Sequence, residues 1–239
     1  MARTDPGDRR RPEMDPDPYF TPASFAFLKE LEKNNNREWF TKNKARYEET
    51  VQDAGVRFIR DAGVKLKALT PHLVADARPF GGSMMRIYRD VRFSRDKSPY
   101  RTMVGIHFSH KGGPGRMDSL PGFFVHLEPG ESRVMSGVWQ PNPPTATKIR
   151  DAIVKRPDDW KKVLKGRLNF EGESLKRIPP GYDPANPYIN DIRRKDWVAG
   201  VRLSDRQVTG GGFMDEFLKA CTSMDPLNAF LAKAIGLPW

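Results

Sequence analysis

The chain has 239 residues, a formal charge of +11 and a single cysteine. The length allows a substantial core, as one large domain or two small ones, and we read one α+β domain. Cys221 alone forms no intrachain disulfide, no Cys/His cluster offers a structural zinc site, and no apolar run is long enough to span a bilayer.

The N-terminus reads Arg9-Arg10-Arg11 followed by proline and acids, with no hydrophobic region, so a cytoplasmic location is expected. Residues Met1 to Tyr19 hold four arginines against five acids. The positive excess therefore belongs to the folding part, where it attracts polyanions; a proteome-wide basic bias would give the same number. Because this segment has almost no aliphatic side chains, its composition predicts a disordered tail over 1–19 and a single domain over 20–239.

Folding begins near Phe20. Thr21-Pro22 reads as an N-cap with proline in the first turn, and Phe25, Leu28 and Leu31 repeat at helical spacing. Asn34-Asn35-Asn36 breaks this helix. A second runs from about Asn36 to just before Pro71, with Trp39, Phe40, Tyr47, Val51, Phe58, Ile59 and Leu66 inward and Gly55 and Gly63 predicting a kink or division. From Met84 the period changes to two. Runs at Met84–Ser94, Thr102–His110, Phe123–Glu128 and Arg133–Trp139 predict a four-stranded antiparallel meander. Ala146–Leu164 is helical and divided at Pro157, Asn169–Pro187 is loop-like, and helices return at Asp205–Val208, Phe213–Cys221 and Leu227–Ile235. Helices at both ends packed on a central antiparallel sheet define the α+β class.

The segment from Arg86 to Arg101 carries six cations and two carboxylates. Period two puts Met85, Ile87, Val91 and Phe93 on one face with Arg89 among them, and Arg86, Tyr88, Asp90 and Arg92 on the other. A guanidinium among apolar neighbours needs a carboxylate, carbonyls or an anion. In one reading Asp90 and Asp96 neutralise two arginines and the cluster is an internal ion network. In the other, the surplus charge binds an anion.

The same residues resemble a known family. Arg-x-x-Arg-Asp-x-Arg-Phe-x-x-Asp-Lys-x-x-Tyr, from Arg86 to Tyr100, is similar to the signature of the DUF2461 family. Phe25-Ala26-Phe27-Leu28, Asn34 to Phe40, Gly137-x-Trp139-x-Pro141, and Leu175-Lys176-Arg177-x-Pro179-x-Gly181-Tyr182 resemble it further. The likeness spans nearly the whole chain after the tail. It departs at Asp191-Ile192-Arg193-Arg194-Lys195, where the family tends to carry a leucine-rich approach to its lysine. The resemblance implies a fold and a place to look, and no reaction.

The favoured ligand is a phosphorylated small molecule. Arg86, Arg92 and Lys97 would contact it, Asp90 and Asp96 would orient the arginines, and Arg89 would anchor the site from the inner face. Tyr100 and Trp139 are candidate stacking partners. An enzyme acting on an anionic metabolite, with Asp90 as base or Tyr100 as acid, and a nucleic-acid-binding protein are the alternatives. His107 and His126 fall on neighbouring strands and with Asp90 could in principle build a metal or acid–base site, but their spacing is not diagnostic and ordinary sheet histidines are the favoured reading. Gly210-Gly211-Gly212 and the Gly112–Gly115 run lack the Lys-Ser/Thr of a phosphate loop. No metal, cofactor or membrane partner is implied.

Overall fold

The computed structural model describes residues 17–112 and 120–239. The predicted tail lies outside the described residues up to position 16. Tyr19 belongs to the fold: its ring meets Phe58 edge-on at 5.5 Å and its hydroxyl donates to Asp61 at 2.7 Å. The Gly113–Gly115 part of the glycine run also lies outside the described residues.

Helix α1 (Pro22–Lys33) starts at Thr21, whose amide donates to Ser24 Oγ at 3.0 Å. Helix α2 (Arg37–Tyr47) is capped by Asn36, which accepts from the amide of Trp39 at 2.9 Å. The chain then widens into a π-turn over Glu48–Gln52 and continues as α3 (Asp53–Leu66). Thus the interruption lies before the two glycines. At that turn the Thr50 carbonyl accepts from Ser24 Oγ at 2.6 Å, tying the irregularity to α1. Gly55 serves packing: a β-carbon there would come 2.8 Å from Met84 Sδ.

Strands β1 (Val104–Ser109), β2 (Gly122–Leu127) and β3 (Arg133–Val138) form the predicted meander less its first strand. They are followed by α4 (Pro143–Lys155), α5 (Pro157–Lys165), β4 (Phe170–Glu171), α6 (Ile189–Ile192), β5 (Trp197–Arg202), α7 (Asp205–Thr209) and α8 (Phe213–Ile235). The sheet order is β1-β2-β3-β5-β4, antiparallel throughout. Alternate residues Val104, Ile106, Phe108, Phe123, Val125 and Val134 face the helices and are buried. Helix α8 lies against β3 and α3 against β1, with Phe58 stacked on Phe213 at 4.9 Å and edge-on to Phe217 at 5.1 Å.

Three local readings change. Met84–Ser94 is not a strand: it makes single bridges, Met84 to Ile106 and Tyr88 to Tyr100, and leaves the pairing after Arg89. The Asp90 and Asp96 side chains accept from the amides of Arg92 at 3.3 Å and Ser98 at 2.9 Å, so local turns replace the ladder. The predicted apolar face fails with it, since Ile87 is buried while Phe93 is 96 % exposed. Second, β4 and β5 were not predicted. Trp197 to Gly200 are buried one after another, and a strand covered on both faces loses its alternation. Third, α8 runs unbroken through Pro226, where two helices were expected. Phe217, Cys221, Met224, Leu227 and Leu231 on either side of the proline are all buried, and that packing outweighs the lost hydrogen bond.

Candidate functional site

The loop from Arg86 to Arg101 is a bridged hairpin: the Arg89 amide donates to Pro99 O at 2.9 Å and the Arg101 amide to Ile87 O at 2.8 Å. Its ion pairs are local. Arg92 Nη2 meets Asp90 Oδ2 at 2.7 Å, Arg89 pairs with Asp96, and Lys97 Nζ donates to Val91 O at 3.0 Å. The guanidinium beside it holds the Asp90 carboxyl down to about 2, and hydrogen bonds from Ser98 and then Arg89 hold Asp96 below the ordinary carboxylate range. A carboxylate so well satisfied is a poor base at neutral pH.

Beyond these two pairs, Arg101 has no carboxylate partner among the described residues and stands near the charges of Arg86 and of the already paired Arg89. Arg101 is half-buried, and its Nε is enclosed without a hydrogen-bond partner among the described residues. Burial lowers its pKa, and the charges of Arg89 and Arg86 lower it further. The Arg101 guanidinium is therefore repelled by two others, one of them paired with Asp96, an arrangement an anion would relieve. Arg101 carried no weight in the sequence reading. Its position opposite Ile87, which only the hairpin register reveals, brings it in.

The aromatic candidates go elsewhere. Tyr100 is 4 % exposed and stacks on Phe40 at 4.1 Å, with its amide donating to Asn35 Oδ1 at 3.0 Å and its carbonyl accepting from Asn35 Nδ2 at 2.9 Å. That clasp joins the hairpin to the α1–α2 turn. Trp139 lines a cleft on the face of the sheet that carries His107, Phe124 and Met135, and Arg86, Arg89, Arg92 and Lys97 are not part of that cleft.

This cleft has a volume of about 440 Å³. Register builds it from outward-facing residues of three strands: His107 opposes Phe124, Phe124 opposes Met135, and His126 opposes Arg133. His126 Nε2 and Glu128 Oε2 lie 2.7 Å apart, and Arg133 Nη1 donates to Glu171 Oε2 at 3.3 Å. The two histidines thus share a face but not with Asp90, and among the described residues no group of three His, Cys, Asp or Glu converges as metal ligands. Sequence reasoning missed Arg133, Met135 and Glu171. The available signal was a sheet face written in glycine, methionine, phenylalanine and histidine rather than in the lysine, glutamate and threonine of a solvated one.

Other motif residues brace the fold. Asp191 accepts from Trp160 Nε1 at 2.9 Å and from Arg194 Nε at 3.1 Å, Lys195 pairs with Glu173 at 2.7 Å, and Tyr182 donates to Asp151 at 2.9 Å. The glycines before α8 lead into a first turn carrying Asp215 and Glu216, which disfavours an anion there. Among the described residues no helix is long and apolar enough to cross a membrane.

A family model described as "Conserved hypothetical protein (DUF2461)" matches residues 23–230. Neither the curated proteins nor the solved structures provide a match.

Proposed function

We propose that this chain, which belongs to the DUF2461 family, binds a small anion, by preference a phosphorylated metabolite, through Arg86, Arg89 and Arg101. The observation that carries the reading is the half-buried guanidinium of Arg101, which has no carboxylate partner among the described residues and lies near the charges of Arg86 and Arg89. A phosphate oxygen would accept from the Arg101 Nη groups, which make no hydrogen bond among the described residues, and offset the repulsion by Arg86 and Arg89; planar forks suit such an anion better than ammonium groups do. Asp96 orients Arg89, while Asp90, Arg92 and Lys97 form the outer rim. Tyr100 supports the hairpin from below, and Trp139 belongs to the separate cleft.

Calorimetry with inorganic phosphate and with a sugar phosphate tests this reading. Arg101→Met keeps the stem and removes the fork, so it should weaken both ligands at least tenfold. Unchanged affinity in this variant would overturn the assignment.

One observation favours a second reading, nucleic-acid binding. Phe93 stands 96 % exposed at the hairpin tip with the Arg92 guanidinium 5.8 Å from its ring centre, a pairing of cation and aromatic that suits an unstacked base. Salt dependence separates the two. A backbone-tracking mode gives a steep log–log slope that drops by about one unit when Arg92 or Lys97 is neutralised, whereas a pocket for one phosphate gives a shallow slope.

A further inference from the structure

We propose that the cleft on the His107, Phe124 and Met135 face of the sheet binds an uncharged, planar, purine-sized heterocycle, whose edge is read by Arg133 and Glu171. The site is separate from the arginine hairpin and does not rest on the anion reading. Its volume, about 440 Å³, falls within the range of about 300–1,000 Å³ usual for small-molecule sites.

The sheet register divides the cleft into zones. At one end His126 and Arg133 oppose each other across β2 and β3, each with its own carboxylate partner. In the middle Phe124 opposes Met135, giving an apolar platform with a polarisable sulfur. At the other end Gly122 and Gly137 bear no side chains, so the floor drops to the backbone and Trp139, 38 % exposed, stands at its margin. A flat ring fits such a floor.

The polar end specifies the edge of the ring. Arg133 and Glu171 are 27 % and 31 % exposed, desolvated enough to reward a good hydrogen bond yet open to a ligand. Glu171 gives only Oε2 to Arg133, so Oε1 makes no hydrogen bond among the described residues and remains an acceptor beside the guanidinium's spare donors. An acceptor next to a donor is the complement of a donor next to an acceptor. The amino and ring-nitrogen edge of adenine and the lactam edge of guanine both present that pair in one plane. The imide edge of uracil does too, so it is the size of the cleft and its platform that favours the larger purine ring. Charge balance narrows the class: Glu171 repels a bare anion, Arg133 repels a bare cation, and a neutral ring meets neither penalty.

The test titrates the full chain with adenosine, guanosine and uridine, followed by calorimetry and by amide shifts of the cleft strands. Saturable binding of at least one purine nucleoside, tighter than uridine and unaltered by Arg101→Met, is expected. Glu171→Gln, which replaces an acceptor oxygen by a donor, should weaken it at least tenfold, and Met135→Trp should abolish it by filling the platform. Absence of saturable purine binding, equal binding of uridine, or full retention of affinity in Glu171→Gln would each overturn the proposal. Should Met135→Trp fail to fold, Glu171→Gln still decides, because the near-isosteric amide disturbs only one long hydrogen bond to Arg133, at 3.3 Å.

Discussion

Glu171 lies over Gly200: a β-carbon at position 200 would come 2.4 Å from Glu171 Oε1. Gly200 sits opposite Met135 on β5, so its missing side chain is what lets a carboxylate rest on the sheet and reach Arg133. Glycine here serves the position of a neighbour rather than a backbone angle.

A contrast between two glycines follows. At Gly200 the obstructing atom is the end of a flexible side chain, so Gly200→Ala should cost less than about 1 kcal/mol while displacing Glu171 from Arg133. At Gly137, with φ of +125°, a β-carbon would come 1.9 Å from the Trp197 carbonyl, which is backbone and cannot retreat. Gly137→Ala should therefore cost more than about 2 kcal/mol in denaturant unfolding. Equal losses at the two sites would contradict this account.

Removal of residues 1–16 should leave the melting temperature unchanged within about 1 °C, since their composition offers almost no apolar surface. Removal through Tyr19 should lower it measurably, because that ring packs on Phe58 and its hydroxyl bonds Asp61. Burial, then the Asp61 hydrogen bond, pushes the Tyr19 phenol up to about 12. The folded value lies above the unfolded one, so this contribution is complete below about pH 10 and lost as pH rises through the folded value. Thermal melts of both truncations at neutral pH and of the full chain up to pH 11 check both statements.

Asp225 provides a pH test of opposite sense to the usual carboxylate. Burial raises its pKa, although Trp239 Nε1 donates to it at 2.9 Å. A carboxyl whose folded pKa is raised favours the folded state as pH falls through that value towards the unfolded one, and opposes it above. Asp225→Asn keeps an acceptor for Trp239 and removes the desolvated charge, so it should raise stability at pH 7 and lose that advantage below the carboxyl range. A variant less stable than the parent at pH 7 would show that the charge, and not only the acceptor, holds the C-terminus.

Arg89→Lys and Arg95→Lys should separate binding from stability. Arg89 pairs with the exposed Asp96, and exposed pairs contribute about 0–1 kcal/mol, so both variants should melt close to the parent. Phosphate affinity should fall several-fold in Arg89→Lys alone, because an ammonium cannot hold Asp96 and an anion in one plane. Equal affinity in both variants, measured by calorimetry, would remove Arg89 from the site.

Arg101→Met should also raise the melting temperature by a few degrees, because it deletes a half-buried cation repelled by two others. Lost phosphate binding together with gained stability is the pattern expected of a group retained for a ligand. A stability loss would mark Arg101 as a brace.

The sequence by itself determined the α+β class, the helix starts at Thr21-Pro22 and Asn36, the division at Pro157, and the hairpins from β1 to β3. These follow from signals within a few residues: a capping side chain, a proline, a period of two on a half-covered strand. It also located the cation-rich segment, because charge counts need no geometry.

Only the tertiary structure decided the rest. The strand expected at Met84–Ser94 dissolved into Asx turns, which compete with a ladder in a way that hydrophobic phase does not register. Strand β5 was hidden because a strand buried on both faces has no alternation to read, and α8 crossed Pro226 because packing on the sheet outweighed one missing bond. Both candidate sites depend on register. Arg101 joins Arg86 and Arg89 through the hairpin pairing, and Arg133 meets His126 and Glu171 through the order β2-β3-β5-β4, which brings together residues 38 positions apart. Contacts of that separation are fixed by how the sheet closes on its helices, and no local pattern of residues encodes them.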